Sequence, residues 1–212
     1  MNPALFYDTE TSGLPLFAEP SEDPRQPHIV QLAAQLVDLD TSAVIDQMDV
    51  IVKPDGWTIP KEVSDIHGIT TERALAEGIP ESDALDKLMT MWQQRVRIAH
   101  NESFDARIIR IAQSRFGYDE TQLALWKGGK ALCTQRMATP IMKLPPTAKM
   151  RAAGFFKFKS ANLQEAHKFF CGRPFEDAHS AMADVQACAA VYFAIQEHKA
   201  TAASKQAAPL AA

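Results

Sequence analysis

Ala4-Leu5-Phe6-Tyr7-Asp8-Thr9-Glu10-Thr11-Ser12-Gly13 begins as an apolar run and turns abruptly acidic and polar. The apolar half, Ala4 to Tyr7, reads as a buried strand, and the glycine marks a turn. In an extended chain alternate side chains share a face, so Asp8 and Glu10 point the same way, two strand rises of ~3.3 Å apart. Two carboxylates held that close repel unless positive charge sits between them. Hard divalent cations such as Mg²⁺ prefer carboxylate oxygens, and one or two of these commonly suffice beside water and phosphate. An exposed strand end running into a glycine turn also accounts for these residues, so the rest of the chain must decide.

Working outward, Leu14 to Pro27 is proline-rich and acidic and reads as a surface connection, placed where it could form a rim. His28 to Asp38 and Val44 to Val52 are β-rich runs joined by the turn-like Leu39-Asp40-Thr41-Ser42, which predicts a hairpin continuing the first strand. Pro60 opens a short helix ending near His67-Gly68. A second helix is expected over about Ser82–Gln94, with Leu85, Leu88, Met89 and Trp92 on one face. Val96 to Ala99 is another short buried strand, followed by a helix from Phe104 to about Phe116 that carries Asp105 in its first turn. Lys130 to Met137 reads as a last strand and the passage to Lys159 as loop. Helices are then expected over Ala161–Phe170 and from Asp177 to about His198. Three consecutive strands followed by alternating helices and strands predict an α/β fold with a mixed sheet.

The 212 residues, 46% hydrophobic and 23% charged, suit one globular domain, expected over 1–198, with a disordered Ala-rich tail over 199–212. No apolar stretch reaches the ~20 residues a bilayer requires, and the N-terminus lacks the pattern of a secretory leader, so a cytoplasmic location is expected. Cys133, Cys171 and Cys188 are odd in number and widely spaced, which argues against a zinc site or a disulfide framework. The net charge of −4 conceals an asymmetry. Thr121 to Gln164 contains no Asp or Glu but carries Lys127, Lys130, Arg136, Lys143, Lys149, Arg151, Lys157 and Lys159. Such a segment is either an electrostatic footprint for phosphate or a solvated basic loop.

Three acidic loci lie at strand ends or helix starts: Asp8 with Glu10, Asp105, and Asp184 in the last helix. Asp105 alone could serve the helix dipole. Asp184 sits among Ala181, Met182, Ala183 and Val185, where a buried carboxylate without a partner would be costly. His179 lies five residues earlier, at the junction of loop and helix. Taken together, Asp8-Thr9-Glu10-Thr11-Ser12-Gly13-Leu14, His100-Asn101 with Phe104-Asp105, and His179 followed by Asp184 resemble the motifs of the DnaQ-like (DEDDh) 3′→5′ exonuclease family. Ile66-His67-Gly68-Ile69-Thr70 also looks like a family segment. The resemblance runs in the family's order from about Leu5 to Ile195.

That resemblance implies a ribonuclease H-like fold, with Asp8, Glu10, Asp105 and Asp184 as ligands of two divalent ions, Mg²⁺ or Mn²⁺, and His179 as general base. Residues matching Thr11, Leu14, His67, Asn101 and Phe104 help to form the nucleotide pocket in the family, Leu14 as a wedge beside the terminal base; Leu14 could equally be core. Two positions depart from the pattern: Gln31 stands where relatives often have Glu, and Cys133 where many have Asp. The implied activity is removal of nucleoside 5′-monophosphates from the 3′ end of single-stranded DNA. An exoribonuclease of the same family and a catalytically silent nucleic-acid-binding or polymerase-associated module remain open readings, and a DNA polymerase or repair complex is a conceivable partner.

Overall fold

The computed structural model describes residues 1–207. Strands β1 (Pro3–Thr11), β2 (Ile29–Asp38), β3 (Val44–Ile51), β4 (Val96–Ala99) and β5 (Ala131–Cys133) form one sheet in the order β3-β2-β1-β4-β5. β1 pairs antiparallel with β2, and β2 with β3; β4 runs parallel to both β1 and β5. The expected mixed sheet, an antiparallel meander extended by two parallel strands, is the observed architecture. Helices α1 (Lys61–His67), α2 (Thr71–Glu77), α3 (Glu81–Trp92), α4 (Glu102–Arg115), α5 (Glu120–Gly128), α6 (Thr134–Met142), α7 (Ala148–Ala152), α8 (Leu163–Cys171) and α9 (Ala181–Ala207) surround it.

The two-residue period of β1 assigns its side chains to opposite layers. Leu5 and Tyr7 enter a core built with Leu85 and Leu88 of α3, Ile108 and Ile109 of α4, and Trp126 of α5. Ala4 and Phe6 face Val185, Cys188 and Tyr192 of α9, where the Phe6 and Tyr192 rings meet edge-on at 5.6 Å between centroids. By the same parity Asp8 and Glu10 lie on the α9 side.

Several elements differ from the sequence expectation. β1 does not stop at Tyr7 but continues to Thr11, because β2 pairs along its whole length until the register shifts between Glu10 and Thr11. Lys130–Met137 divides into three residues of strand and the start of α6. The division falls at Thr134, whose buried hydroxyl bonds the Ala99 carbonyl, His100 and Cys188 and so locks the chain where it turns from strand to helix. Pro140 lies inside α6, which ends two residues later at Met142, with Lys143 in the left-handed region. Helices α2, α5 and α7 occupy stretches that carried no helix expectation. Finally, α9 runs past His198 to Ala207, as alanine-rich sequence favours. The tail expected over 199–212 is thus helical to 207, and its remainder, 208–212, lies outside the described residues. Among the described residues no helix is long and apolar enough to cross a membrane.

Candidate active site

Because β1, β4 and β5 are parallel, their C-terminal ends share one edge of the sheet, the place where α/β folds collect functional groups. Asp8 and Glu10 leave β1 at that edge, and Asn101 to Asp105 follow β4. Asp105 lies in the first turn of α4, on the side of the sheet opposite α9. Thr9, whose parity turns it toward α4, holds the acid there: its backbone N–H and its hydroxyl both donate to Asp105 Oδ1, at 3.0 and 2.8 Å. One carboxyl oxygen is fixed, and the other is left to the cleft. Beneath it, buried Arg97 donates to Glu102 Oε1 at 2.8 Å, Tyr7 donates to the same oxygen at 3.1 Å, and the guanidinium lies 4.1 Å over the Trp126 ring. This cluster ties the first turn of α4 to β1 and β4.

From the other layer, Asp184 enters on the first turn of α9. Gln31 Oε1 accepts the Ala181 N–H at 3.1 Å, and Gln31 Nε2 donates to Asp49 at 2.7 Å, so β2 anchors the helix start. The departure at Gln31 thereby acquires a reason: an amide can serve a donor and an acceptor at once, whereas a carboxylate would face Asp49. The His179 N–H reaches back to Asp184 Oδ2 at 3.3 Å, and His179 itself is exposed in the left-handed region at φ 72°.

Donor atoms of Glu10, His179 and Asp184 lie within 4.8 Å of one another. Asp8 and Asp105 stand outside that tight trio but share its field. Burial pushes the Asp8 carboxyl well above the usual range, and the carboxylates of Asp105, Asp184 and Glu10 raise it further. Glu10 is pushed up to about 8 by burial, then by Asp184 and Asp105. Burial takes Asp105 to about 7 against the lowering effect of its Thr9 bonds, and Asp184 to about 6 against the backbone and ring of His179. Among the described residues none of these four acids pairs with Lys or Arg; the ion pairs engage other carboxylates. Four mutually repelling oxygen donors with no protein cation suit hard divalent ions.

The remaining expected residues fall on segments adjoining the acids: Thr11 and Leu14 after Glu10, Asn101 and Phe104 before Asp105, and His67 near His179. Leu14 is 75% exposed, so it belongs to the rim and not to the core. Thr11 is buried, and its hydroxyl donates to the Gly13 carbonyl at 2.7 Å, which shapes the turn leading to Leu14. Asn101 is exposed and left-handed (φ 68°), its side chain unused in capping α4, and Phe104 sits half-buried one turn on. His67 Nδ1 accepts the Ile69 N–H at 3.1 Å, which leaves the ring proton on Nε2, a buried atom with no partner. Burial and the nearby His179 both lower the pKa of His67. Leu14 to Pro27 is an ordered rim: Gln26, 2% exposed, bonds Leu16 twice and the Pro20 carbonyl, and Arg107 donates to the Glu19 carbonyl. Thr9 and His100 are the residues that sequence reasoning left without a role of their own. Hydroxyl next to carboxylate in Asp8-Thr9-Glu10 is the only sequence signal for Thr9, and His100 acts as a clamp between Thr134 and the Ala161 carbonyl.

Residues 5–192 match the family model for exonucleases of the RNase T type. Among solved structures, E. coli exonuclease I in complex with a dT13 oligonucleotide is 21% identical, with a TM-score of 0.72 over 97% of this chain and 43% of that one. The same enzyme with a dA16 oligonucleotide gives 22%, 0.69, 93% and 41%, and a zinc-bound complex with single-stranded DNA gives 21%, 0.69, 94% and 41%. This chain therefore spans about two-fifths of exonuclease I, and the likeness is one of fold. A search of curated proteins finds no match. Sequence, fold and the family match agree: the chain belongs to the exonuclease family, in its DnaQ-like (DEDDh) branch with the ribonuclease H-like fold.

Proposed function

We propose that this chain is a metal-dependent 3′→5′ exonuclease that hydrolyses single-stranded DNA and releases nucleoside 5′-monophosphates. The observation that carries the proposal is the gathering of Asp8, Glu10, Asp105 and Asp184, without a protein cation, beside the exposed imidazole of His179. In this reading the four acids hold two divalent ions, Mg²⁺ or Mn²⁺. Bound there, such ions would supply Lewis-acid stabilisation of the charge developing in an in-line displacement at phosphorus. His179 takes the proton of the attacking water, the general-base task that a positioned imidazole most often performs. Its backbone bond to Asp184 keeps the ring beside the acids. Leu14 wedges beside the terminal base, and Asn101 and Phe104 frame the nucleotide. Thr11 supports that pocket through the turn it closes, and the unpartnered Nε2–H of His67 is available to a phosphate oxygen.

The preference for single-stranded DNA takes support from the oligonucleotide complexes of exonuclease I. Three free cysteines suit a reducing, cytoplasmic compartment. The test compares 5′-labelled single-stranded DNA, RNA and duplex of matched sequence with Mg²⁺ and with Mn²⁺, for the parent and for Asp8→Ala. Stepwise shortening of single-stranded DNA from its 3′ end is expected in the parent and none in the variant, whose circular dichroism should match the parent's. Undiminished cleavage in excess chelator, or shortening from the 5′ end, overturns the proposal.

A further inference from the structure

Residues 134–160 project from the sheet as a small lobe made of α6, α7 and a returning segment. It is firmly seated. Ala138 and Ala161 are fully buried against Ala166 of α8 and Val191 and Ile195 of α9, and Leu144 joins the same cluster. The Lys159 N–H donates to the Leu144 carbonyl at 3.0 Å, closing the lobe on itself. His100, at the carboxyl end of β4, grips both ends of the lobe through Thr134 (2.9 Å) and the Ala161 carbonyl (3.0 Å). The lobe is thereby fixed to the sheet edge that also carries Asp8, Glu10 and Asp105.

What this rigid support displays is unusual for a free surface. Phe155, Phe156 and Phe158 are 63%, 74% and 48% exposed, so they do not anchor the segment to the core. Phe156 and Phe158 flank a cleft of about 570 Å³ shared with Arg136, Pro140 and Lys157. Among the described residues Arg136, Lys143, Lys149, Arg151 and Lys157 make no ion pair; only Lys159 is engaged, with Glu165. No acidic residue occurs from Thr121 to Gln164. Five unpaired cations would oppose an apolar protein partner, and a duplex keeps its bases stacked inside. A single strand offers both phosphates for the cations and free base faces for the rings.

We propose that this lobe is a docking shelf for the single strand beyond its terminal nucleotide, with bases stacked on Phe156 and Phe158 and phosphates met by Arg136 and Lys157. The proposal rests on the reading of the chain as an exonuclease of single strands. It adds a second contact region, which would retain long substrates and be out of reach of very short ones.

The experiment uses the full chain and the double variants Phe156→Ala/Phe158→Ala and Arg136→Ala/Lys157→Ala, with Phe156→Trp/Phe158→Trp as a conservative control. Binding of oligo(dT) of about 20 nucleotides is measured in Ca²⁺ across a salt series. The alanine pair at the rings is expected to lose about 5- to 150-fold in affinity for each base unstacked, while the tryptophan pair keeps parental affinity. Loss of the two cations should flatten the slope of log affinity against log salt by about 1.4, at ~0.7 per phosphate. Hydrolysis of a dinucleotide in Mg²⁺ should be unchanged in every variant, and melting temperatures should match. Parental affinity and slope in both alanine pairs would overturn the shelf, as would variants that alter only self-association in the ultracentrifuge. A parent that binds the long strand but cleaves neither substrate in Mg²⁺ or Mn²⁺ would refute the exonuclease reading and leave the shelf standing.

Discussion

Replacing Glu10 by Gln should stabilise the metal-free protein while destroying its use of metal. In the fold the Glu10 carboxyl is raised from 4.5 to about 8, by burial first and then by Asp184 and Asp105. The sign follows from linkage: below about pH 4.5 the group is protonated in both folded and unfolded chains and contributes no penalty. Between about pH 4.5 and 8 the unfolded chain ionises freely and the folded chain does not, so stability is lost as pH rises through that window. At 1.36 kcal/mol per pH unit, the difference of about 8 minus 4.5 sets a ceiling of ~5 kcal/mol. Solvent on the open side of the cleft screens part of it, leaving ~1–3 kcal/mol, or about 3–10 °C in melting temperature for a chain of this length. Thermal melts in chelator at about pH 4 and about pH 9 read this directly. Glu10→Gln is expected to melt with the parent at the lower pH and above it at the higher. Adding Mg²⁺ should raise the parent more than the variant, since binding to the folded state alone stabilises it. A variant less stable than the parent at about pH 9 in chelator, or an offset independent of pH, would refute the reasoning.

His179→Ala should reduce turnover by roughly 10²–10⁴-fold as a lost general base, with Mg²⁺ affinity by calorimetry retained; collapse of that affinity would make the ring a ligand, as its proximity to Glu10 and Asp184 permits. Arg97→Met leaves the buried Glu102, in the first turn of α4, without its cationic partner and should cost about 3–5 kcal/mol in urea denaturation, most of it recovered in Arg97→Met/Glu102→Gln. No recovery in the double variant would mean that packing against Trp126, and not charge pairing, is what Arg97 supplies. Gln31→Glu sets a carboxylate against Asp49 and should lose about 1–2 kcal/mol at neutral pH, a loss that disappears in acid as the pair takes up a proton. Equal stability of this variant and the parent at neutral pH would contradict the bridging role of the amide.

The elements legible in the sequence were those whose own period decides them. β1 and the hairpin alternate, α3 and α4 repeat at three and four residues, and the sheet observed is the one those patterns imply. Short elements were lost because an apolar run of a few residues does not distinguish strand from helix. Thr134 turns Lys130–Met137 from strand to helix through contacts with His100 and Cys188, which are distant in sequence. α5 was a different omission: Asp119 and Gln122 form a reciprocal capping box whose residue types are visible in the chain. At the site, residue types and order pointed to the acids, whereas the hold of Thr9 on Asp105 depends on β1 and α4, 96 residues apart in sequence, meeting at one edge.

That edge is also where the molecule concentrates what does not favour folding. Of the seven non-glycine residues in the left-handed region among those described, Ser42, Gln93, Gln94 and Lys143 lie in a hairpin turn or at helix ends, where such backbone is ordinary. The other three, Asn101, Asp177 and His179, lie where the chain enters α4 and α9, the helices that carry Asp105 and Asp184. Each such residue costs of order 1–3 kcal/mol and persists only where the surroundings over-determine it. The same edge carries Asp8, Glu10, Asp105 and Asp184, all held above their ordinary pKa by burial. Strain and repulsion fall together here, while the Arg97 cluster, the Gln31 bridge and the two apolar layers brace the elements on either side. A scaffold free of chemical duty would have neutralised these acids with lysine or arginine. This one leaves them without a Lys or Arg partner and fixes the backbone around them, as the cation-holding role proposed for them requires.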